Sequence, residues 1–101
     1  MIETDKRRVL LVDDDAAVLR ASTLILQRAG FDVTAAASGD AALAALAPRR
    51  ATGAQRFSVI VSDIRMEGMS GLDLLRTVRE TDPDVPMVLV TGGPSLSTAI
   101  E

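Results

Sequence analysis

Three short apolar runs divide the chain: Val9-Leu10-Leu11-Val12, Phe57-Ser58-Val59-Ile60-Val61 and Val85-Pro86-Met87-Val88-Leu89-Val90. None alternates strictly between apolar and polar residues. A strand with one wet face alternates, whereas a strand apolar at successive positions is covered on both faces, as in a parallel sheet under helices. A weaker strand is expected over residues 31–36. Helical patterns fill the intervals. Over residues 16–29, Val18, Ser22, Ile25 and Ala29 share a face, with Asp14 or Asp15 available as N-cap and Gly30 as the stop at C′. Residues 40–47 are rich in alanine and leucine and are expected to end at Pro48. A third helix is expected over residues 70–81, with Leu72, Leu75 and Val78 on one side, ending before Asp82-Pro83. Residues from Ser95 onward read as the first turn and a half of a fourth helix. Residues 48–56, with Arg49, Arg50 and Arg56, read as a solvated loop. Strands alternating with helices imply right-handed crossovers and a parallel sheet with helices on both faces.

The 101 residues suffice for one domain, and 48% apolar against 25% charged residues suits a packed core rather than a disordered chain. There is no cysteine and no histidine. Disulfides, thiolate or imidazole ligands and a histidine base are therefore excluded, and chemistry must come from carboxylates, hydroxyls, amines or the backbone. The net charge of -3 argues against a general nucleic-acid binder. No apolar run is long enough to span a membrane, and the first six residues are too polar for a signal peptide, so a cytoplasmic location is expected.

In a parallel sheet all strands end at one edge, where ligands bind. The first run leads into Asp13-Asp14-Asp15, the third strand into Ser62-Asp63 and the fourth into Thr91-Gly92-Gly93. Each has an ordinary role open to it: an N-cap with solvated neighbours, a loop cap, a strand-end residue. If the first, third and fourth strands are neighbours, the same residues meet in one pocket. Two carboxylates ~4 Å apart repel by about 4 kcal/mol at an effective dielectric near 20. Such a cluster is tolerable when hydrated, protonated or holding a cation, and an all-oxygen donor set favours Mg²⁺ or a similar ion. A carboxylate beside Mg²⁺ can attack phosphorus to give an aspartyl phosphate, and a threonine hydroxyl can donate to the phosphoryl group.

These residues resemble the response-regulator receiver family. The matching pieces are Val9 to Asp15, the run Asp63-Ile64-Arg65-Met66-Glu67-Gly68-Met69-Ser70-Gly71-Leu72, and Val88-Leu89-Val90-Thr91-Gly92. The resemblance implies a flavodoxin-like, chemotaxis-regulator-like doubly wound α/β fold with a parallel sheet of order 2-1-3-4, over a single domain of residues 1–101. It implies a phosphoacceptor domain of a two-component system, phosphorylated by a sensor histidine kinase and switching an output domain or partner, rather than an enzyme. By the same resemblance Asp63 is the phosphoacceptor. Asp13, Asp14, Asp63 and the backbone carbonyl of Arg65 hold Mg²⁺. Thr91 is the switch hydroxyl, Gly92 and Gly93 ease movement of the loop after it, and Gly71 is the glycine near the start of the third helix.

The chain departs from the pattern in two places. Glu67 stands where the family commonly has proline, which removes a fixed φ. The chain reaches Glu101 without the family's fifth strand and fifth helix, and without the lysine that pairs with the phosphate; Lys6 is its only lysine. It is therefore expected to be incomplete at the C-terminus, to bind Mg²⁺ yet accept phosphate poorly, and to expose the edge of its fourth strand. That edge invites a homodimer or exchange of elements. Two other readings compete. One is an interaction module that keeps the fold without phosphorylation. The other is an Asp-nucleophile phosphatase, which wants a carboxylate two positions after the nucleophile: after Asp63 that position is Arg65, and after Asp13 it is Asp15.

Overall fold

A computed structural model of the chain describes residues 7–52, 56–91 and 98–100. The strands and helices are β1 (Arg8–Val12), α1 (Ala16–Arg28), β2 (Asp32–Ala36), α2 (Gly39–Thr52), β3 (Val59–Asp63), α3 (Gly71–Thr81), β4 (Met87–Val90) and β5 (Thr98–Ile100). The first four strands form the expected parallel sheet in the order β2-β1-β3-β4. β1 lies between β2 and β3, and β3 between β1 and β4, so β1 and β3 are the inner two of the four parallel strands. Leu10 and Ile60 on them are fully buried.

Alternate residues along the strands face opposite ways. Leu10, Val12, Ile60, Met87 and Leu89 point into one core, which Ala42 and Leu46 of α2 and Leu74 and Val78 of α3 complete. α1 lies on the other face, over β1 and β2. Its ends follow from sequence. Asp15 is the N-cap, accepting from the N–H groups of Ala17 at 3.0 Å and Val18 at 3.1 Å. At the C-terminus Gly30 has φ +100°, the Gly30 N–H donates to Gln27 O and the Phe31 N–H to Leu26 O. This is a Schellman motif with glycine at C′ as expected.

Four expectations need correction. First, on α1 the partly buried residues are Leu19, Ser22, Thr23 and Leu26, while Val18 and Ile25 are 46% and 67% exposed, Val18 along the depression between α1 and the sheet. The helix carries two apolar stripes about 100° apart, and its seat over β1 and β2 decides which is covered. Second, on α3 the buried pair is Leu74 and Val78, one turn apart; Leu75 flanks it and Leu72 is exposed. Third, α2 does not stop at Pro48 but continues to Thr52. Proline's φ is itself helical, so what the continuation costs is one missing hydrogen bond and crowding of the preceding turn. The expected loop over residues 48–56 is thus helical as far as Thr52. Fourth, Thr98–Ile100 is not helical. It pairs antiparallel with β4, placing Val88 opposite Ile100, Leu89 opposite Ala99 and Val90 opposite Thr98. Residues 95–97 lie outside the described residues. The outer edge of β4, expected to be open, has its backbone groups paired by this strand instead, so the motive for exchange through that edge falls away.

Candidate functional site

Strand register brings the acids together. Val12 is opposite Ser62, so Asp13 leaves β1 beside Asp63, the last residue of β3. Asp63 is in turn opposite Val90, and the Ile64 N–H donates to Val90 O at 3.0 Å, which fixes the next residue, Thr91, at the same edge. Asp13, Asp14 and Asp63 each offer one carboxylate oxygen, and these oxygens all lie within 4.8 Å of one another. Asp13 and Asp63 are half-buried and Asp14 is exposed. Two depressions flank the cluster. One of ≈ 540 Å³ is walled by Asp14, Ile64, Arg65, Met66, Glu67 and α3's Ser70 and Leu72. The other, ≈ 350 Å³, lies between α1 and the sheet and includes Asp13, Asp15, Asp63 and Val90.

Backbone N–H groups supply part of the charge compensation. The Asp15 N–H donates to Asp13 Oδ1 at 2.9 Å, and the Glu67 N–H donates to Asp14 Oδ2 at 3.1 Å. The Arg65 N–H reaches Asp63 Oδ1 at 3.4 Å, a long and weak contact. These do not neutralise the cluster. The Asp13 carboxyl is held above its ordinary value, first by burial and then by the charges of Asp63, Asp14 and Asp15, with the Asp15 N–H pulling the other way. Such a group favours a compensating cation, and three carboxylates with no nitrogen or sulfur donor suit a hard divalent ion.

The loop from Asp63 to α3 is set by backbone packing. A Cβ on Gly71 would lie 2.4 Å from the Asp63 carbonyl oxygen, and the Gly71 N–H donates to Ile64 O at 2.9 Å. Only glycine lets α3 start this close to the end of β3. Gly68, at φ +77°, turns the loop between them. Asp15, the carboxylate that a phosphatase would need as acid-base, is committed to capping α1. Thr91 is half-buried at the end of β4; Gly92 and Gly93 lie outside the described residues. Glu67 matters here beyond any loss of stiffness in the loop: it carries a backbone N–H that proline would lack, and that N–H meets Asp14.

The response regulator receiver domain family matches residues 9–101. The chain belongs to this receiver family. It is 42% identical over 93 residues to the C4-dicarboxylate transport transcriptional regulatory protein DctD of Rhizobium meliloti, covering 92% of this chain and 19% of the relative. It is 33% identical over 98 residues to the transcriptional regulatory protein FixJ of Bradyrhizobium diazoefficiens, covering 97% of this chain and 45% of that one. Among solved structures it superposes on the chemotaxis response regulator CheY4 of Vibrio cholerae with a TM-score of 0.73 at 32% identity, covering 89% of this chain and 72% of that structure. The chain spans less than half the length of these two curated relatives. Receivers of this family are signalling domains, not catalysts, and work with a histidine kinase and an output domain. The Asp13, Asp14 and Asp63 cluster is typical of the receiver phosphorylation site and consistent with its divalent-metal site. Among the described residues no helix is long and apolar enough to cross a membrane.

Proposed function

We propose that this receiver accepts a phosphoryl group on Asp63 from a sensor histidine kinase in a Mg²⁺-dependent reaction, and that the modified site switches an output domain or partner. The observation that carries this reading is the meeting of three carboxylates from two strand ends within 4.8 Å, beside Thr91 at a third. Asp13, Asp14, Asp63 and the Arg65 carbonyl are the residues that would hold the ion. Bound there, Mg²⁺ offsets the negative charge of the acids and of the incoming phosphoryl oxygens.

The remaining steps belong to the chain. Asp63 sits at the end of a strand paired on both sides, so its carboxylate is presented from a rigid base. One carboxylate oxygen attacks phosphorus while the bond from phosphorus to the kinase imidazole breaks. The electron pair leaves with the imidazole nitrogen, which recovers a proton from solvent. The acyl phosphate carries roughly 1.5 to 2 negative charges in place of the single carboxylate charge, and brings new acceptor oxygens to the strand edge. The Thr91 hydroxyl donates to one of these oxygens. That biases an existing equilibrium between two surfaces, one of which the output partner prefers.

Transfer from a small-molecule phosphodonor tests this reading. Incubation with such a donor and Mg²⁺, read by intact mass, should give a gradual gain of one phosphoryl group. The gain should vanish in Asp63→Asn and on chelating the metal. An adduct that survives Asp63→Asn would refute the assignment. Mg²⁺ binding with no adduct from either the donor or a kinase would favour an interaction module that keeps the fold without phosphorylation.

A further inference from the structure

We propose that the backbone N–H of Glu67 is a positioning group that orients Asp14 for the metal; this deepens the Mg²⁺ reading above and rests on it. The Glu67 N–H donates to Asp14 Oδ2 at 3.1 Å and joins residues 53 positions apart. The other two carboxylates of the cluster receive their N–H contacts from two residues onward in their own loops. Asp14 is thus tied from across the site, by the β3–α3 loop. Asp14 is exposed, and without a tether its side chain could turn into solvent. The tether occupies one carboxylate oxygen and leaves the other for a cation.

The donor is itself held in place. The Gly71 N–H to Ile64 O bond and the tight approach of Gly71 to the Asp63 carbonyl anchor both ends of the loop on the end of β3. Gly68, with φ +77°, turns the chain immediately after Glu67. The position of the N–H is therefore set by the same backbone that presents Asp63, and Asp14 and Asp63 share one frame. Ligating carboxylates are tuned by hydrogen bonds from outside the ligand set, and removing such a partner weakens metal binding. The side chain of Glu67 plays no part in this. Any residue but proline supplies the N–H, and proline, whose nitrogen carries no hydrogen, cannot.

The test compares Glu67→Ala, which keeps the N–H, with Glu67→Pro, which removes it, by titrating the metal-free protein with Mn²⁺ and with Mg²⁺. Affinity should stay within about twofold of the unsubstituted chain in Glu67→Ala and fall about tenfold in Glu67→Pro. Equal affinities in the two variants, with binding by the unsubstituted chain intact, would overturn this proposal alone. No saturable binding by the unsubstituted chain would sink the metal reading and this proposal with it. Hydrogen exchange of the residue 67 amide, measured without metal, needs no proline variant to fold. That amide should exchange several-fold faster in Asp14→Ala than in the unsubstituted chain, and an unchanged rate overturns the proposal.

Discussion

At the scale of single residues, Asp13 concentrates the electrostatic conflict of the site. It is partly buried, its carboxyl is held above the ordinary value by that burial and by three neighbouring acids, and only the Asp15 N–H opposes them. A raised value means that the folded state prefers the protonated carboxyl, so at neutral pH the charged form works against folding. Asp13→Asn removes the charge while keeping an oxygen for the Asp15 N–H. The metal-free variant should melt a few degrees higher than the unsubstituted chain, and saturating Mg²⁺ should stabilise it less. Thermal melts with and without Mg²⁺ check both. A lower metal-free melting temperature in Asp13→Asn would show that the acids do not repel as described.

At the scale of elements, α3 shows how a local signal supports the site. Ser70 and Asp73 form a reciprocal capping box: the Asp73 N–H donates to Ser70 Oγ at 3.1 Å and the Ser70 N–H to Asp73 Oδ2 at 3.2 Å. Asp73 is held below its ordinary value of 3.8, first by the Ser70 N–H, then by the Ser70 hydroxyl, with Arg76 adding to both. The sign follows from linkage: stability from a depressed carboxylate is present above 3.8 and is lost as pH falls through the lower folded value. Asp73→Asn should therefore be less stable than the unsubstituted chain at neutral pH, and the gap should close in acid below 3.8. Urea melts at the two pH values measure it. A gap that stays constant with pH would mean that the cap does not depend on the charge. Because α3 begins at Gly71, against the Asp63 carbonyl, a frayed first turn also loosens the strand end that presents Asp63.

At the scale of the molecule, the core is concentrated between the sheet and the α2–α3 layer. Ile60, fully buried on β3 between β1 and β4, sits where every layer of that core meets. Ile60→Ala should cost about 2–5 kcal/mol from lost burial and the cavity left behind. That is a large share of the ~5–15 kcal/mol that holds a domain folded. On the opposite face Ile25 of α1 is 67% exposed, and Ile25→Ala should change stability by no more than about 0.5 kcal/mol. Denaturant midpoints for the two variants give the comparison. Similar losses would mean that Ile25 is covered in solution.

The pattern of β1, β3 and β4, an N-cap at Asp14 or Asp15, the stop at Gly30, and the acids at the strand ends were legible in the residues, because each depends on neighbours close in the chain. Consecutive apolar residues require burial on both faces, glycine alone takes a positive φ cheaply, and a carboxylate before a helix finds free N–H groups. The resemblance then supplied the strand order. Contacts between distant segments could not be read this way. Two stripes of α1 are equally apolar, and only its seat over β1 and β2 chose Leu19 and Leu26 over Val18 and Ile25. Thr98–Ile100 became a strand because the edge of β4 offered unpaired backbone groups. The Glu67 N–H met Asp14 because the register of two parallel strands fixed a distance that a separation of 53 positions along the chain leaves undetermined. Local chemistry fixes what an element is, while the partner it meets is set by a packing that no short segment contains.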